Sequence, residues 1–180
     1  MSKIYTKVGD KGTTKTLSGK DVIKNSCLIS INGDIDFLQS ALDKVIHYVN
    51  KLPKEYEVDS YRLSNIQKLL WQMGGEISAE GDLSFIKTPI TEEDVTNLEV
   101  WIDEKKLELS NFVRFTNFAS MEVNEARVRV RHLERELVEY LYDKELRPEI
   151  FRFINRLSDY LFSLAVHIED NFGGIDDGRR

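Results

Sequence analysis

The sequence predicts an all-α protein, a five-helix bundle behind an N-terminal Gly-rich loop arm. Three observations lead there. Apolar residues recur at steps of three and four in five separate stretches, the period of a helix with one buried face. No Gly or Pro occurs between Pro89 and Pro148, so the turns that would punctuate a strand-rich reading are missing. The glycines Gly9, Gly12 and Gly19 gather instead near the N-terminus, among Thr, Ser and Lys. With 180 residues the chain is one domain by length and can bury a core without covalent staples. The expected division is an arm over 1–32, a helical bundle over 33–172 and a loose tail over 173–180.

In order, the arm comes first. Gly9, Asp10, Gly12, Thr13, Thr14, Ser18 and Gly19 make it loop-forming, and glycines let backbone N–H groups turn inward on an anion. Lys7, Lys15 and Lys24 add positive charge and the threonines add donors. It is no Walker loop, since no Gly-x-x-x-x-Gly-Lys-Ser/Thr is present. Ile35, Leu38, Leu42, Val45 and Val49 then mark the first helix, closed by Pro53. Leu63, Ile66, Leu70, Met73 and Ile77 mark the second, with Gly81 after its end. Thr91 with Glu93 and Asp94 reads as the start of a short third helix carrying Val95, Leu98 and Ile102. The fourth spans Val123–Tyr140, with a seam at Val123, Ala126, Val130, Leu133, Leu137 and Tyr140. Pro148 suits the first turn of a fifth, whose seam is Ile154, Leu157, Leu161, Leu164 and Ile168, ended by Gly173 and Gly174.

Composition narrows the function. Formal net charge is −6, which argues against general nucleic-acid binding. Cys27 is the one cysteine, so neither a disulfide framework nor a thiolate metal cluster is expected. Residues 1–7 lack the apolar run of a signal peptide, and no stretch approaches the ~20 apolar residues of a membrane span. A reducing, cytoplasmic setting follows as the expectation. The charge is uneven: Met1–Lys24 carries six Lys against two Asp, a balance of +4 on a remainder of −10. A basic arm on an acidic body suits an anionic ligand.

Beside the fourth seam, shifted by one residue, stand Arg127, Arg131 and Glu134, neighbours at i, i+4 and i+7. His132 and Arg135 lie within the same turns. Guanidinium groups present planar forks of donors that match phosphate oxygens and keep their charge. A carboxylate among them orients a guanidinium or holds a metal. As ordinary helix-flank charges they would instead pair with a neighbouring helix. The same shift on the first and fifth helices selects Asp36, Gln39, Asn155 and Phe162. A plausible geometry gathers Asp36, Arg127, Arg131, Glu134 and Asn155 around one cleft, with Asp36 as counter-charge to an arginine.

Three motifs carry a resemblance. Ile4–Gly12 (Ile-Tyr-Thr-Lys-Val-Gly-Asp-Lys-Gly), Arg127-x-x-x-Arg131-His-Leu-Glu-Arg135 and Asn155-Arg-Leu-Ser-Asp-Tyr-Leu-Phe162 resemble the PduO-type ATP:cob(I)alamin adenosyltransferases, in family order and spacing, roughly from Lys3 to His167. The resemblance implies a cobalamin adenosyltransferase-like bundle that assembles as a homotrimer with sites between subunits. It implies transfer of the 5′-deoxyadenosyl group of ATP to the cobalt of a Co(I) corrinoid, releasing triphosphate, with Mg²⁺ accompanying the triphosphate. It assigns ATP contacts to Thr6, Lys7, Val8, Gly9, Thr14, Lys15, Lys24, Arg131, His132, Glu134, Arg135 and Asn155, and Glu134 is the candidate metal ligand. An Asp–Arg pair between ATP and corrinoid falls on Asp36 and Arg127. The phenylalanine below the corrin ring falls on Phe112, and a second aromatic near the ring on Phe162. A reductase and a cobalamin-dependent enzyme are the further partners implied; nucleic acid and membrane are not.

The sequence also departs from the family's pattern. Asp36-Phe-Leu-Gln39 replaces Asp-Glu-Leu-Asn, Phe115-Thr-Asn117 replaces Pro-Gly-Gly, Leu28 stands for an Arg, and His132 stands where Arg is usual. These changes fall mainly on the corrinoid-facing half. They leave a second reading, a non-catalytic ATP- or corrinoid-binding trimer acting as carrier or regulator.

Overall fold

The computed structural model describes Tyr5 and residues 7–80, 82–107, 112–142 and 146–173, with the side chains of Val8 and Phe85 excepted. A short hairpin, β1 (Thr13–Lys15) and β2 (Asp21–Ile23), precedes five helices: α1 (Cys27–Val49), α2 (Glu57–Ser78), α3 (Glu92–Asp103), α4 (Phe118–Leu141) and α5 (Pro148–Phe172). Helix α4 packs between α1 and α5; α1 also packs on α2, and α5 on α3. Each apolar seam read from the period is buried in the one core, apart from Ile102, which is only partly covered. Helix α3 opens on a capping box in which Thr91 Oγ1 accepts from the Asp94 N–H and the Asp94 carboxylate accepts from the Thr91 N–H. Pro148 occupies the first turn of α5, where its missing N–H costs nothing.

Two boundaries differ from the expectation. Helix α1 begins at Cys27, so the last residues of the expected arm are helical. Leu28 and Ile31 extend the three-and-four step backwards from Ile35 and are buried. Gly33 lies inside this helix with open space around it, so it costs only the ~1 kcal/mol of a glycine in a helix. The arm also holds the antiparallel hairpin, with Thr14 opposite Val22 and Lys15 opposite Asp21. Its strands are three residues each, too short for alternation to show. Gly19, at φ 84°, lets the connection turn back.

At one end of the bundle a buried ionic cluster joins α2, α3 and α5. The Lys105 ammonium lies 2.8 and 2.7 Å from the two Asp59 oxygens, and the Tyr160 hydroxyl donates to Asp59 at 3.3 Å. At the opposite end of α2, the buried Glu76 carboxylate accepts from Arg147 at 2.7 Å and from the Ile90 N–H at 3.0 Å.

Candidate functional site

Helices α4 and α5 run antiparallel and meet in three rungs, spaced by seven residues on each helix. In the first, Asn155 Nδ2 donates to Glu134 Oε1 at 3.0 Å. In the second, the Arg127 guanidinium lies over the Phe162 ring, 5.5 Å from its centroid, while its Nε donates to Asn124 Oδ1 at 2.9 Å. In the third, the Ser120 hydroxyl donates to Glu169 Oε2. Seven residues are two turns, so one stripe of each helix supplies all three. Arg131 sits one turn from Arg127 and is exposed. Burial lowers the basicity of Arg127, and the neighbouring Arg131 charge lowers it further.

The third rung was not among the expected site residues. Glu169 also accepts from the Thr116 N–H at 3.0 and 2.9 Å, from the Thr116 hydroxyl and from the Asn117 N–H at 3.1 Å. Burial alone would raise its carboxyl; the hydrogen bonds from Ser120, Thr116 and Asn117 together outweigh that and hold it below the ordinary value. The signal was present: Glu169 is one further heptad after Asn155 and Phe162, and Ser120 one before Arg127.

The remaining expected residues lie on another face. Asp36 lines a groove between α1 and α2 with Gln39, Gln67 and Trp71. It also lines a second cavity, of about 520 Å³, with Lys15 and Thr16 of the arm. The hairpin holds Lys15 against Asp21 at 2.9 Å and turns Thr14 half inward. The Lys24 side chain covers Gly9, where a Cβ would meet Nζ at 2.8 Å. Lys7 adopts a left-handed φ of 62° ahead of the turn Val8–Lys11. Thr6 lies outside the described residues, and of Val8 only the backbone is described. Phe112 is fully exposed.

Within one chain the five residues expected around one cleft do not all meet. The chain brings Arg127, Arg131, Glu134, Asn155 and Phe162 together along α4 and α5. Asp36 turns towards α2, and it has no charged partner among the described residues. The one-residue shift puts Asp36 on a flank of its seam, but it does not say which neighbour that flank faces. His132 likewise leaves the Arg131 flank. Its Nε2 faces Asp34 on α1 at 3.5 Å, and its Nδ1 accepts from Arg135 at 3.2 Å. With Glu136, Asp34 and His132 bring three potential metal-ligating atoms within 4.8 Å of one another. The Arg135 donor occupies one of the imidazole nitrogens there.

The α4–α5 face thus sets two guanidinium groups without a carboxylate partner among the described residues beside a phenylalanine ring of a helical bundle. The chain belongs to the cobalamin adenosyltransferase family, whose pattern it matches over residues 4–168. It is 35% identical over 170 residues to a corrinoid adenosyltransferase of Citrobacter freundii, covering 92% of this chain and 94% of that one. It is 32% identical over 180 residues to one of Bacillus subtilis strain 168, with 97% and 90% covered. Its fold is similar to a variant PduO-type ATP:corrinoid adenosyltransferase from Lactobacillus reuteri complexed with cobalamin and ATP. That match has a TM-score of 0.83 at 26% identity and covers 93% of this chain and 91% of the other.

Proposed function

We infer that this chain transfers the 5′-deoxyadenosyl group of ATP to the cobalt of a reduced corrinoid. The electron pair of Co(I) forms the bond to C5′, the C5′–O bond breaks, and its electrons leave with triphosphate. One observation supports the site above all. The chain is acidic overall, and Arg62, Arg129, Arg147, Arg152 and Arg156 all sit against carboxylates. Arg114, Arg127, Arg131 and Arg135 have no carboxylate partner among the described residues, and of these Arg127 and Arg131 stand together on adjacent turns beside Phe162. Two unneutralised guanidinium groups on one flank suit the leaving triphosphate, whose charge they would disperse. Phe162 gives the flank an apolar neighbour, as a corrin ring requires.

Cob(I)alamin is itself a strong nucleophile, so the protein's tasks are alignment, charge dispersal and exclusion of water. Asn155 orients Glu134 through one carboxylate oxygen and leaves the other available. A single carboxylate suits Mg²⁺ brought in by the triphosphate, because that ion takes most of its ligands from phosphate and water. Asp36 and the arm would complete the site from a second copy in a homotrimer. Support comes from Asp36, which is exposed and has no charged partner among the described residues, and from Arg127, which lies on a different face of the same chain. Among the described residues no helix is long and apolar enough to cross a membrane. A reducing cytoplasm and a reductase suit the need for Co(I), and a cobalamin-dependent enzyme would consume the product.

Purified protein with ATP, Mg²⁺ and chemically reduced cobalamin under strict anaerobiosis is expected to lose the Co(I) absorbance band and form adenosylcobalamin. An unchanged corrinoid spectrum would overturn the reading.

A further inference from the structure

We propose that Glu169 is a positioning residue for the corrinoid side of this site, acting through the segment 112–117 and the aromatic pair it carries. The inference rests on the adenosyltransferase reading for its ligand and on the geometry of this chain for its mechanism.

One carboxylate gathers the Thr116 N–H and hydroxyl, the Asn117 N–H and the Ser120 hydroxyl, from 49 to 53 residues away in sequence. These donors include backbone groups at the start of α4, where a helix leaves N–H groups without internal partners and favours negative charge. Such a clamp fixes the direction from which the chain enters α4. Phe115 precedes the clamped residues directly, and its ring meets Phe162 edge-on at 6.5 Å. Phe162 in turn carries the Arg127 guanidinium on its face. The order of contact is therefore Glu169, Thr116, Phe115, Phe162, Arg127. Phe112 leaves the same segment towards solvent, fully exposed. No rigid element of the described residues covers it, so its direction depends on how the segment is anchored. This chain has Phe-Thr-Asn at residues 115–117, and each polar member of that trio donates to Glu169. The clamp and the local sequence match.

A helix cap alone would add stability and nothing more. Glu169→Gln separates the two roles. Glutamine keeps the size, but its NH₂ group turns a donor towards donors, so the clamp opens without a cavity. The experiment titrates Co(II) cobalamin into protein saturated with ATP and reads both affinity and the electron paramagnetic resonance of the bound cobalt. We expect Glu169→Gln to weaken corrinoid binding about tenfold and to raise the fraction of cobalt keeping a lower axial ligand. ATP affinity should stay within about twofold. Ser120→Ala, which removes one donor, should move both corrinoid readouts in the same direction by less. Unchanged corrinoid affinity and spectrum in a folded Glu169→Gln protein would overturn the inference. So would equal losses of ATP and corrinoid affinity, which is what general loosening would give, or the absence of corrinoid binding by the wild type. Turnover is measured separately: an inactive wild type that still shows the Glu169 effect would sink the transfer reaction and leave the positioning role standing.

Discussion

The α4–α5 face and the arm with α1 and α2 carry the same kinds of residue but differ in how far one chain completes them. Along α4 and α5 three contacts are set by the fold, Glu134 with Asn155, Arg127 with Phe162 and Ser120 with Glu169, while Arg131 keeps its charge without a carboxylate partner among the described residues. On the other face Asp36 stands at a groove open to solvent and meets no cation among the described residues, while Lys15 and Lys20 of the arm pair with Asp21 and Glu80. Two long antiparallel helices fix their side chains against each other by register alone. The arm, built of short turns, pairs Lys15 within its own hairpin and leaves the neighbouring Asp36 without a cation among the described residues. On the adenosyltransferase reading, folding sets one part of the proposed site while the rest waits for a ligand or a second copy.

The largest expected effect tests whether the two halves meet between copies. Asp36→Ala and Arg127→Ala should each lower transfer about a thousandfold, as loss of a group acting on developing charge does. If the halves come from different chains, unfolding the two variants together and refolding the mixture restores a measurable share of wild-type activity. Recovery no greater than the sum of the separate variants would place both residues in one chain's site. Equilibrium sedimentation of the same mixture checks the expected trimer.

Next comes a variant outside both regions. Lys105→Met leaves the Asp59 carboxylate, 1% exposed, without its closest cation. Breaking such a pair costs about 3–5 kcal/mol, and the Arg62 guanidinium at 3.8 Å should keep the loss near the lower end. Urea unfolding measures it. The affinity for ATP of the folded fraction should not change, which separates loss of fold from loss of site. A parallel loss of ATP affinity would show that the groove is not independent of that end of the bundle.

Arg131→Ala comes third. Removing one charge-assisted contact to phosphate should cost about 1.5–3 kcal/mol, or roughly ten- to a hundredfold in ATP affinity by calorimetry. Equal affinity for wild type and variant would contradict the phosphate role. Arg135→Ala should cost less, since its guanidinium already donates to His132.

Much of this was readable beforehand, for a physical reason. A seam at steps of three and four fixes which face of a helix is buried, so Val123 to Tyr140 and Ile154 to Ile168 fell into the core as expected. The residues one step beside the seam fall on its flank, which is why Arg127, Glu134, Asn155 and Phe162 meet. What the pattern lacks is the neighbour's identity. Asp36 and His132 have flank positions as good as Arg131, yet one faces α2 and the other faces Asp34 of α1. That depends on the order of packing, which no single helix encodes. Glu169 was legible in principle, at the next heptad of its stripe, but a carboxylate near a helix end reads first as solvated charge. The hairpin of the arm was illegible, since three residues per strand carry no period.

The clamp also predicts a pH dependence. Glu169 is held below its ordinary value of 4.5, so the folded state favours its ionised form. Its contribution is then complete above the unfolded value and is lost as pH falls through the lower folded one. The stability difference between wild type and Glu169→Gln should therefore be constant near neutrality and shrink below about pH 4.5. Urea midpoints across that range measure it. A difference that grows on acidification would mean the carboxyl is protonated in the clamp, donating rather than accepting.

The smallest effect belongs to α3, which contributes to neither face of the site. Thr91 accepts the Asp94 N–H at 3.3 Å, and Asp94 accepts both the Thr91 N–H and its hydroxyl. Thr91→Ala removes half of this reciprocal cap and should lower stability by about 1 kcal/mol. Helix α3 packs on α5 through Val95 and Leu98, on the side of α5 away from the stripe of Asn155, Phe162 and Glu169. A frayed first turn should therefore leave ATP and corrinoid affinity unchanged while the urea midpoint falls. A fall in corrinoid affinity with Thr91→Ala would show that α5 transmits strain across its own width, and the separation between rungs and scaffold would then fail.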